Sequence, residues 1–192
     1  MGAVLVALAY LAGSIPFGVL VTRWKLGVDV RTQGSGNIGA TNVARVGGKK
    51  LGVAVLLLDA LKGAGPAWAA TELVPGARWV HATVGLAAFL GHVFSVWLRF
   101  RGGKGVATAL GVLVVLAPGA AGAGFLVYAA LFAVWRVSSV GSLAAGATAT
   151  AIAWVGPAPR EYAALVTVLM AMMIYTHRAN IRRLFQRTEK PV

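Results

Sequence analysis

The sequence predicts an all-α, polytopic integral membrane protein: a helical bundle of seven transmembrane helices that forms a single domain over residues 1–192. Composition, repeated apolar stretches and the distribution of positive charge predict it. The chain has 58% hydrophobic and 12% charged residues and a mean hydropathy of +0.78, whereas soluble domains carry about 25% charged residues. It has no cysteine, which excludes disulfides, thiolate catalysis and cysteine-ligated zinc.

Seven apolar stretches account for the predicted helices. They occupy residues 3–22, 51–70, 80–98, 105–117, 120–135, 139–156 and 161–176. A transmembrane helix needs about 20 residues, in a usual range of about 17–25, and the first three stretches satisfy this. The fourth and fifth are short and only Pro118-Gly119 separates them. They form either a tight helical hairpin or a re-entrant pair, and we favour two crossings because the charge distribution then agrees.

Positive charge predicts the orientation, with the N-terminus outside and the C-terminus cytoplasmic. Fifteen of the 18 Lys and Arg residues then lie on the cytoplasmic side, two (Arg78 and Arg160) lie opposite, and Lys62 lies inside a span. Such a bias is typical of cytoplasmic loops, and it holds whether or not 105–135 crosses twice. The fifteen are Arg23, Lys25, Arg31, Arg45, Lys49, Lys50, Arg99, Arg101, Lys104, Arg136, Arg178, Arg182, Arg183, Arg187 and Lys190.

The net charge of +13 would suggest a nucleic-acid partner in a soluble protein. Here the charges lie in short loops between apolar spans, so attraction to anionic lipid and membrane insertion explain them better. We therefore expect membrane lipid as a partner, no nucleic acid and no obligatory protein partner.

A glycine-rich segment, Gly34-Ser-Gly-Asn-Ile-Gly-Ala-Thr-Asn42, interrupts the apolar pattern. Irregular backbone beside a bilayer must line a cavity or bind something polar. Glycines let backbone N–H groups approach an anion closely, and a helix starting near Gly39 or Ala40 would add its positive end. The segment predicts a phosphate site; the alternative is a polar turn with glycines for steric reasons alone. Its candidate site residues are Gly34, Ser35, Gly36, Asn37, Gly39, Thr41, Asn42 and Arg45.

A second segment, Arg101-Gly-Gly-Lys-Gly, places Lys104 between glycines directly before an apolar helix. A nucleotide-binding P-loop needs Ser or Thr after the lysine, and Gly105 stands there. We therefore predict a phosphate site rather than a nucleotide site, formed by Gly102, Gly103, Lys104 and Gly105. The alternative is a lysine that snorkels from a helix end to the interface.

A third segment, Thr176-His-Arg-Ala-Asn-Ile-Arg-Arg-Leu184, follows the last span. His177 and Asn180 are three residues apart and can share a helix face, which makes both candidate catalytic residues. For Arg182, Arg183 and Arg187 a basic amphipathic helix on the membrane surface is the simpler interpretation.

Ionisable groups inside spans are costly and often mark function. Asp59 and Lys62 are three residues apart, so they form either a self-neutralising pair or a pair in which Lys62 reaches the phosphate site. His92 is either a satisfied polar group or a substrate-binding donor, Ser142 is a weaker candidate, and His81 is interpreted as structural.

No Ser-His-Asp set and no carboxylate cluster for a metal is present in the sequence, so we expect no cofactor and no metal. A reaction here has no evident general base and must depend on charge neutralisation and positioning.

The three segments and the intervening Leu58-Asp-Ala-Leu-Lys-Gly63 resemble, in order and over the whole chain, the bacterial acyl-phosphate-dependent glycerol-3-phosphate acyltransferases (PlsY). The resemblance implies a seven-helix inner-membrane enzyme whose motifs face the cytoplasm. It also implies transfer of a fatty acyl group from acyl phosphate to the 1-hydroxyl of sn-glycerol 3-phosphate, giving lysophosphatidic acid and phosphate.

On that basis the predicted catalytic residues are Ser35, Arg45, Lys104, His177 and Asn180, and the proton acceptor is either a substrate phosphate oxygen or His177. A transporter of a phosphorylated small solute is the alternative function, and a structural membrane subunit is a third. A transporter would need a polar path to the outer face, usually with an inverted repeat, and the sequence has neither.

Overall fold

The computed structural model describes residues 1–189 and 191, and within them the chain is helical and has no β-strand. Lys190, one of the predicted cytoplasmic cations, lies outside the described residues. Single 3₁₀ turns occur at Val30–Thr32 and Val96–Leu98. The α-helices are α1 (Gly2–Ser14), α2 (Phe17–Leu26), α3 (Ala40–Gly47), α4 (Lys49–Leu73), α5 (Arg78–Val93), α6 (Val106–Leu116), α7 (Pro118–Trp135), α8 (Ser138–Val155), α9 (Arg160–Thr176) and α10 (Arg178–Phe185).

Five helical segments in the described chain are long and apolar enough to cross a membrane. They are Gly2–Leu26 (α1 with α2), Lys49–Leu73, Arg78–Leu98, Pro118–Trp135 and Ser138–Val155, and α9 with α10 adds a sixth if the two are one span bent by 60°. Helix α6 has 11 residues, about 16 Å at the usual helical rise, against a hydrocarbon core of about 30 Å. The all-α prediction is confirmed. By length and composition, five or six helical segments of the described chain qualify as spans, and the seventh crossing stays a prediction.

The outer surface of the bundle is apolar and carries tryptophan near the helix ends. All six Trp residues are more than half exposed. Trp79 lies at the start of α5, Trp97 just beyond its end, and Trp135 is the last residue of α7. Tryptophan is enriched where a bilayer meets water, so this pattern is typical of a protein embedded in lipid.

The main core lies where helices α5 to α9 meet, around Phe89, Val112 and Leu169, each no more than 2% exposed. Small residues allow the helices to approach closely. A Cβ at Gly111 of α6 would lie 1.9 Å from the Ala60 carbonyl oxygen of α4, and one at Gly13 of α1 would lie 2.0 Å from the Ala88 oxygen of α5.

Pro16 separates α1 from α2, since proline lacks the N–H that would continue the helix. The break leaves carbonyls at the end of α1 without intrahelical partners. Ser95 Oγ donates to the Ser14 carbonyl at 2.6 Å, and Lys62 Nζ donates to the Ile15 carbonyl at 2.7 Å. Irregular backbone at membrane depth is tolerated only where such partners exist, so both side chains stabilise the break.

Candidate active site

A cavity of about 790 Å³ lies where the three polar segments meet. Ser35 and Arg45, from the first segment, and Lys104, from the second, all line it. All three are among the predicted catalytic residues, and one reaction can use them together only if they face a common cleft. The sequence-predicted site residues that line the cavity are Gly34, Ser35, Asn37, Gly39, Thr41, Asn42, Arg45, His92, Lys104, Gly105, Ser142, His177 and Asn180; Gly36, Lys62, Gly102 and Gly103 are not among its lining residues.

In the first loop, helix α3 begins at Ala40, one of the two start positions that the sequence analysis considered. Asn37 Oδ1 accepts a hydrogen bond from the Gly39 N–H at 2.8 Å. The Ser35 N–H donates to Asn42 Oδ1 at 2.8 Å, and the Gly36 N–H donates to the Gln33 carbonyl at 3.0 Å. Three of the backbone donors expected to hold phosphate are thus engaged within the loop. Anion binding by this loop would therefore depend on its side chains and on backbone N–H groups in the first turn of α3.

Asn42 holds the first loop in place. Its Nδ2 lies 3.1, 3.0 and 2.8 Å from the carbonyl oxygens of Val30, Gln33 and Asn37, and its Oδ1 accepts from the Ser35 N–H. The residue is 1% exposed. Because its side-chain polar atoms are all engaged by backbone, Asn42 holds the loop in this conformation. Its predicted role in binding phosphate stays a prediction.

The second loop is braced against the end of α5. The Gly102 N–H donates to the Val93 carbonyl at 3.0 Å, and the Gly103 N–H donates to the His92 carbonyl at 3.1 Å. A Cβ at Gly103 would lie 2.3 Å from His92 Nε2, and one at Gly102 would lie 2.0 Å from the His92 carbonyl oxygen. These glycines allow the second loop to approach the end of α5 closely, which gives them a positioning role. Their predicted role in binding phosphate stays a prediction.

Lys104 follows this braced turn and reaches the cavity. Its carbonyl accepts from Thr176 Oγ1 at 3.2 Å, which joins the second loop to the end of α9. Burial lowers the pKa of Lys104 to about 8; the nearby charge of Glu189 opposes this shift, and Arg183 and Arg45 add to it. A lysine surrounded by cations and partly desolvated gains stability when an anion arrives, which suits phosphate binding.

His177 lies at the bend between α9 and α10 and is 2% exposed. Its Nδ1 is 2.8 Å from the Met173 carbonyl oxygen. A carbonyl oxygen can only accept, so Nδ1 carries a proton, and in the neutral ring Nε2 is left as an acceptor. Asn180, 5% exposed, is three residues farther on and lines the same cavity, as their spacing predicts.

Lys62 makes contacts other than the predicted one. Its Nζ is 2.7 Å from Asp59 Oδ1 and 2.7 Å from the Ile15 carbonyl. His92 Nδ1 lies 3.7 Å from the same Asp59 oxygen. Of the two alternatives, the geometry supports the self-neutralising pair with Asp59, and Lys62 also stabilises the break at Pro16. Lys62 is not among the residues that line the cavity.

Residues that the sequence analysis did not select also line the cavity. Ser138 Oγ lies 3.1 Å from Thr41 Oγ1 and 3.1 Å from Tyr128 Oη, while Ser142 Oγ donates to the Ser138 carbonyl at 2.8 Å. The sequence feature that could have identified them is the pair Ser138-Ser139, which lies one turn before Ser142 at the start of an apolar helix. Arg183, which was interpreted as part of a surface helix, and Glu189 also line the cavity.

The rest of the cavity is apolar and lies deeper in the bundle. It is lined by Leu110 and Leu113 of α6, Phe125 of α7, Ala149 of α8 and Met173 of α9. Leu113 lies seven residues into α6, about 10 Å along the helix from its first residue. The cavity can therefore accommodate a ligand with an anionic head and an apolar chain.

Comparison with known proteins agrees with this geometry. A family profile described as "Glycerol-3-phosphate acyltransferase" matches residues 3–187. The chain belongs to the glycerol-3-phosphate acyltransferase family. A glycerol-3-phosphate acyltransferase of Myxococcus xanthus is 65% identical to it over 190 residues, covering 99% of each chain. One of Anaeromyxobacter dehalogenans (strain 2CP-1) is 54% identical over 197 residues, covering 100% of this chain and 98% of the relative.

Solved structures of the family share the fold. The glycerol 3-phosphate form of PlsY (YgiH), an integral membrane glycerol 3-phosphate acyltransferase, is 44% identical, with a TM-score of 0.95 over 100% of this chain and 95% of that one. Its lysophosphatidic acid form is 43% identical, with a TM-score of 0.92 over 99% of this chain and 94% of that one. These findings confirm the predicted family and show that this glycerol-3-phosphate acyltransferase is an integral membrane protein.

Proposed function

We propose that this protein transfers a fatty acyl group from acyl phosphate to the 1-hydroxyl of sn-glycerol 3-phosphate. The products are 1-acyl-glycerol 3-phosphate (lysophosphatidic acid) and phosphate, in the first acylation of phospholipid synthesis. The observation that carries the proposal is the single cavity lined by Ser35, Arg45 and Lys104. The solved relatives named above, in their glycerol 3-phosphate and lysophosphatidic acid forms, support this acceptor and this product.

The cavity can hold both substrates. Each substrate carries a phosphoryl group, and Arg45, Lys104 and Arg183 supply three cations along the polar part of the lining. The acyl chain would lie along α6 to α9, where each buried methylene contributes about 0.8 kcal/mol. Positioning the 1-hydroxyl beside the acyl carbonyl makes the reaction effectively unimolecular.

In the proposed reaction the 1-hydroxyl oxygen attacks the carbonyl carbon of acyl phosphate. The new ester C–O bond forms as the bond from that carbon to the phosphate oxygen breaks, and the bonding electrons leave with phosphate. Lys104, with the first turn of α3, stabilises the negative charge that develops on the carbonyl oxygen and the leaving group.

The hydroxyl proton passes to a phosphate oxygen of a substrate. The cytoplasmic acid Asp29 is engaged by Arg23 at 2.7 Å and by Arg31 at 2.6 Å, and Asp59 pairs with Lys62, so both carboxylates already have cationic partners. His177 is the second candidate acceptor, because Nε2 of its neutral ring is available while Nδ1 donates to Met173.

Purified protein incubated with acyl phosphate and radiolabelled glycerol 3-phosphate tests the proposal. We expect labelled lysophosphatidic acid and an equal amount of released phosphate, and loss of both with Lys104→Ala. A protein that retains its fold in detergent but yields no labelled lipid would contradict the proposed activity. Uptake of unmodified label into sealed vesicles would indicate a transporter instead.

We also propose that the chain is a single domain with seven crossings, an outer N-terminus and a cytoplasmic C-terminus, and that it lies in the inner membrane of a bacterial cell with its active site at the cytoplasmic face. Fifteen cations on one side against two on the other support the orientation. Because α6 is short, the side of the membrane on which the turn at Pro118–Gly119 lies decides whether α6 and α7 both cross.

Single cysteines can test this topology, since the chain has none of its own. We expect an impermeant maleimide to label Glu72→Cys and Gly119→Cys in intact spheroplasts, and Gln33→Cys only after permeabilisation. Labelling of Gly119→Cys only after permeabilisation would mean that α6 and α7 form a re-entrant pair.

A further inference from the structure

The C-terminal segment after α10 turns back toward the cavity. Arg187 adopts a left-handed conformation (φ 55°), and the Thr188 N–H donates to the Arg183 carbonyl at 2.8 Å. This reversal brings the Glu189 side chain, 9% exposed, into the cavity lining. Farther along, the Pro191 carbonyl lies 3.5 Å from Arg45 Nη2. The tail therefore extends from α10 toward the first loop.

The Glu189 carboxylate occupies a site with donors from two helices. Its Oε1 accepts from Ser139 Oγ of α8 at 3.0 Å and from Asn180 Nδ2 of α10 at 2.5 Å, and its Oε2 accepts from Arg183 Nε at 2.5 Å. Ser139 and Asn180 are 4% and 5% exposed. Burial alone would raise the pKa of Glu189, but the hydrogen bonds from Arg183, Asn180 and Ser139 outweigh it and lower that pKa.

These donors match the chemistry of phosphate. Hydrogen bonds from charged and neutral donors to an anionic oxygen are what both a carboxylate and a phosphoryl group require. The site also faces Lys104, whose charge interacts with that of Glu189. Ser139 and Asn180 are buried, and buried donors are rarely left without an acceptor, so the carboxylate satisfies them when no substrate phosphate does. Arg183, whose side chain is 42% exposed, adds a positive charge at the edge of the site.

We propose that Ser139, Asn180 and Arg183 form a binding site for phosphoryl oxygens, and that Glu189 is a tethered anion that occupies this site until a phosphate displaces it. The inference rests on the proposed function for the identity of the phosphate-bearing ligands. Ser139 and Arg183 thereby become phosphate ligands, and the tail must open whenever a phosphate binds.

Displacement of a tethered competitor reduces apparent affinity by the fraction of molecules in the open state. If the tail is closed in most molecules, removing the Glu189 charge should tighten phosphate binding by about threefold to tenfold.

Isothermal titration of the full-length protein in detergent with inorganic phosphate tests the proposal without an acyl donor. We expect Glu189→Gln to lower the Kd for phosphate, and Glu72→Gln, the same substitution at an exposed position on α4, to leave it unchanged. Adding Ser139→Ala to Glu189→Gln should weaken binding again, which a general change in charge would not do. Likewise, Arg183→Gln should weaken binding in the Glu189→Gln protein while Arg182→Gln, at the neighbouring exposed position, should not.

Unchanged or weaker phosphate binding by Glu189→Gln would overturn the proposal. So would a fall of about 100-fold in turnover with unchanged phosphate affinity, since that result would make Glu189 a general base. The titration does not measure acyl transfer. A protein that binds phosphate as described but yields no lysophosphatidic acid would refute the proposed reaction. It would not contradict the proposal that Glu189 occupies the phosphate site.

Discussion

Replacing Asn42 with Ala should remove activity without unfolding the bundle. The Asn42 amide donates two N–H groups to the carbonyl oxygens of Val30, Gln33 and Asn37, and its oxygen accepts from the Ser35 N–H. Three net hydrogen bonds at about 1 kcal/mol each give about 3 kcal/mol of support for the folded loop. A loss of that size lowers the equilibrium constant for the ordered loop by about 100-fold, and the population that can bind substrate by up to that factor.

The assay compares kcat/KM for glycerol 3-phosphate in Asn42→Ala and wild-type protein, with melting in detergent measured alongside. We expect kcat/KM to fall about 100-fold, while the melting transition persists because the loop lies outside the main core. Gln33→Ala is the matched control, since it removes an exposed side chain and retains the carbonyl that Asn42 contacts. An Asn42→Ala protein with kcat/KM within threefold of wild type would refute the assignment of Asn42 as the residue that positions the loop.

Four further predictions concern the cavity and the loop that positions Lys104. Lys104→Ala should lower turnover by about 100-fold or more, as removal of an oxyanion-stabilising donor does, and normal turnover would exclude Lys104 from the site. Because the pKa of Lys104 is about 8 in the substrate-free protein, its charge is present below that pH and lost above it. Glycerol 3-phosphate affinity should therefore fall as pH rises through about 8, and Lys104→Arg should lose this dependence because guanidinium stays protonated. His177→Gln should retain turnover within about tenfold, whereas a drop of about 100-fold or more would make His177 the base. Gly103→Ala should lower turnover because its Cβ would lie 2.3 Å from His92 Nε2, and Gly119→Ala, which meets nothing within 4 Å, is its control.

The residues that carry charge or hydrogen-bonding capacity at the ends of spans were predictable from sequence. Arg45, Lys104, His177 and Asn180 each follow or precede an apolar stretch on the predicted cytoplasmic side, and all four line one cavity. Charge bias places segments on the same side of a membrane, and packing of the helices then brings their ends together.

The roles of the second-loop glycines were not predictable from a single sequence. A glycine permits close approach of any neighbour, and at Gly102 and Gly103 the neighbour is the end of α5. Helix α6 raises a similar difficulty. Residues 105–117 are uniformly apolar, but Gly105 is left-handed before the helix and Pro118 begins the next one, so the helix has only 11 residues.

Two polar residues owe their positions to distant parts of the chain. Lys62 contacts the carbonyl of Ile15, which is 47 residues away in the sequence, and so stabilises the helix break at Pro16. Hydropathy gives no signal for such a partner. Glu189 reaches Ser139 only because the chain reverses at Arg187. Both contacts depend on tertiary packing, which local sequence patterns do not encode.

A structure of this protein with glycerol 3-phosphate bound tests most directly whether the shared cavity binds the substrate phosphate. We predict that the phosphate lies in the cavity, with its oxygens at hydrogen-bonding distance, about 3 Å, from Lys104 Nζ and from the Arg45 guanidinium. A phosphate bound elsewhere on the protein, beyond hydrogen-bonding distance of both Lys104 and Arg45, would contradict this prediction.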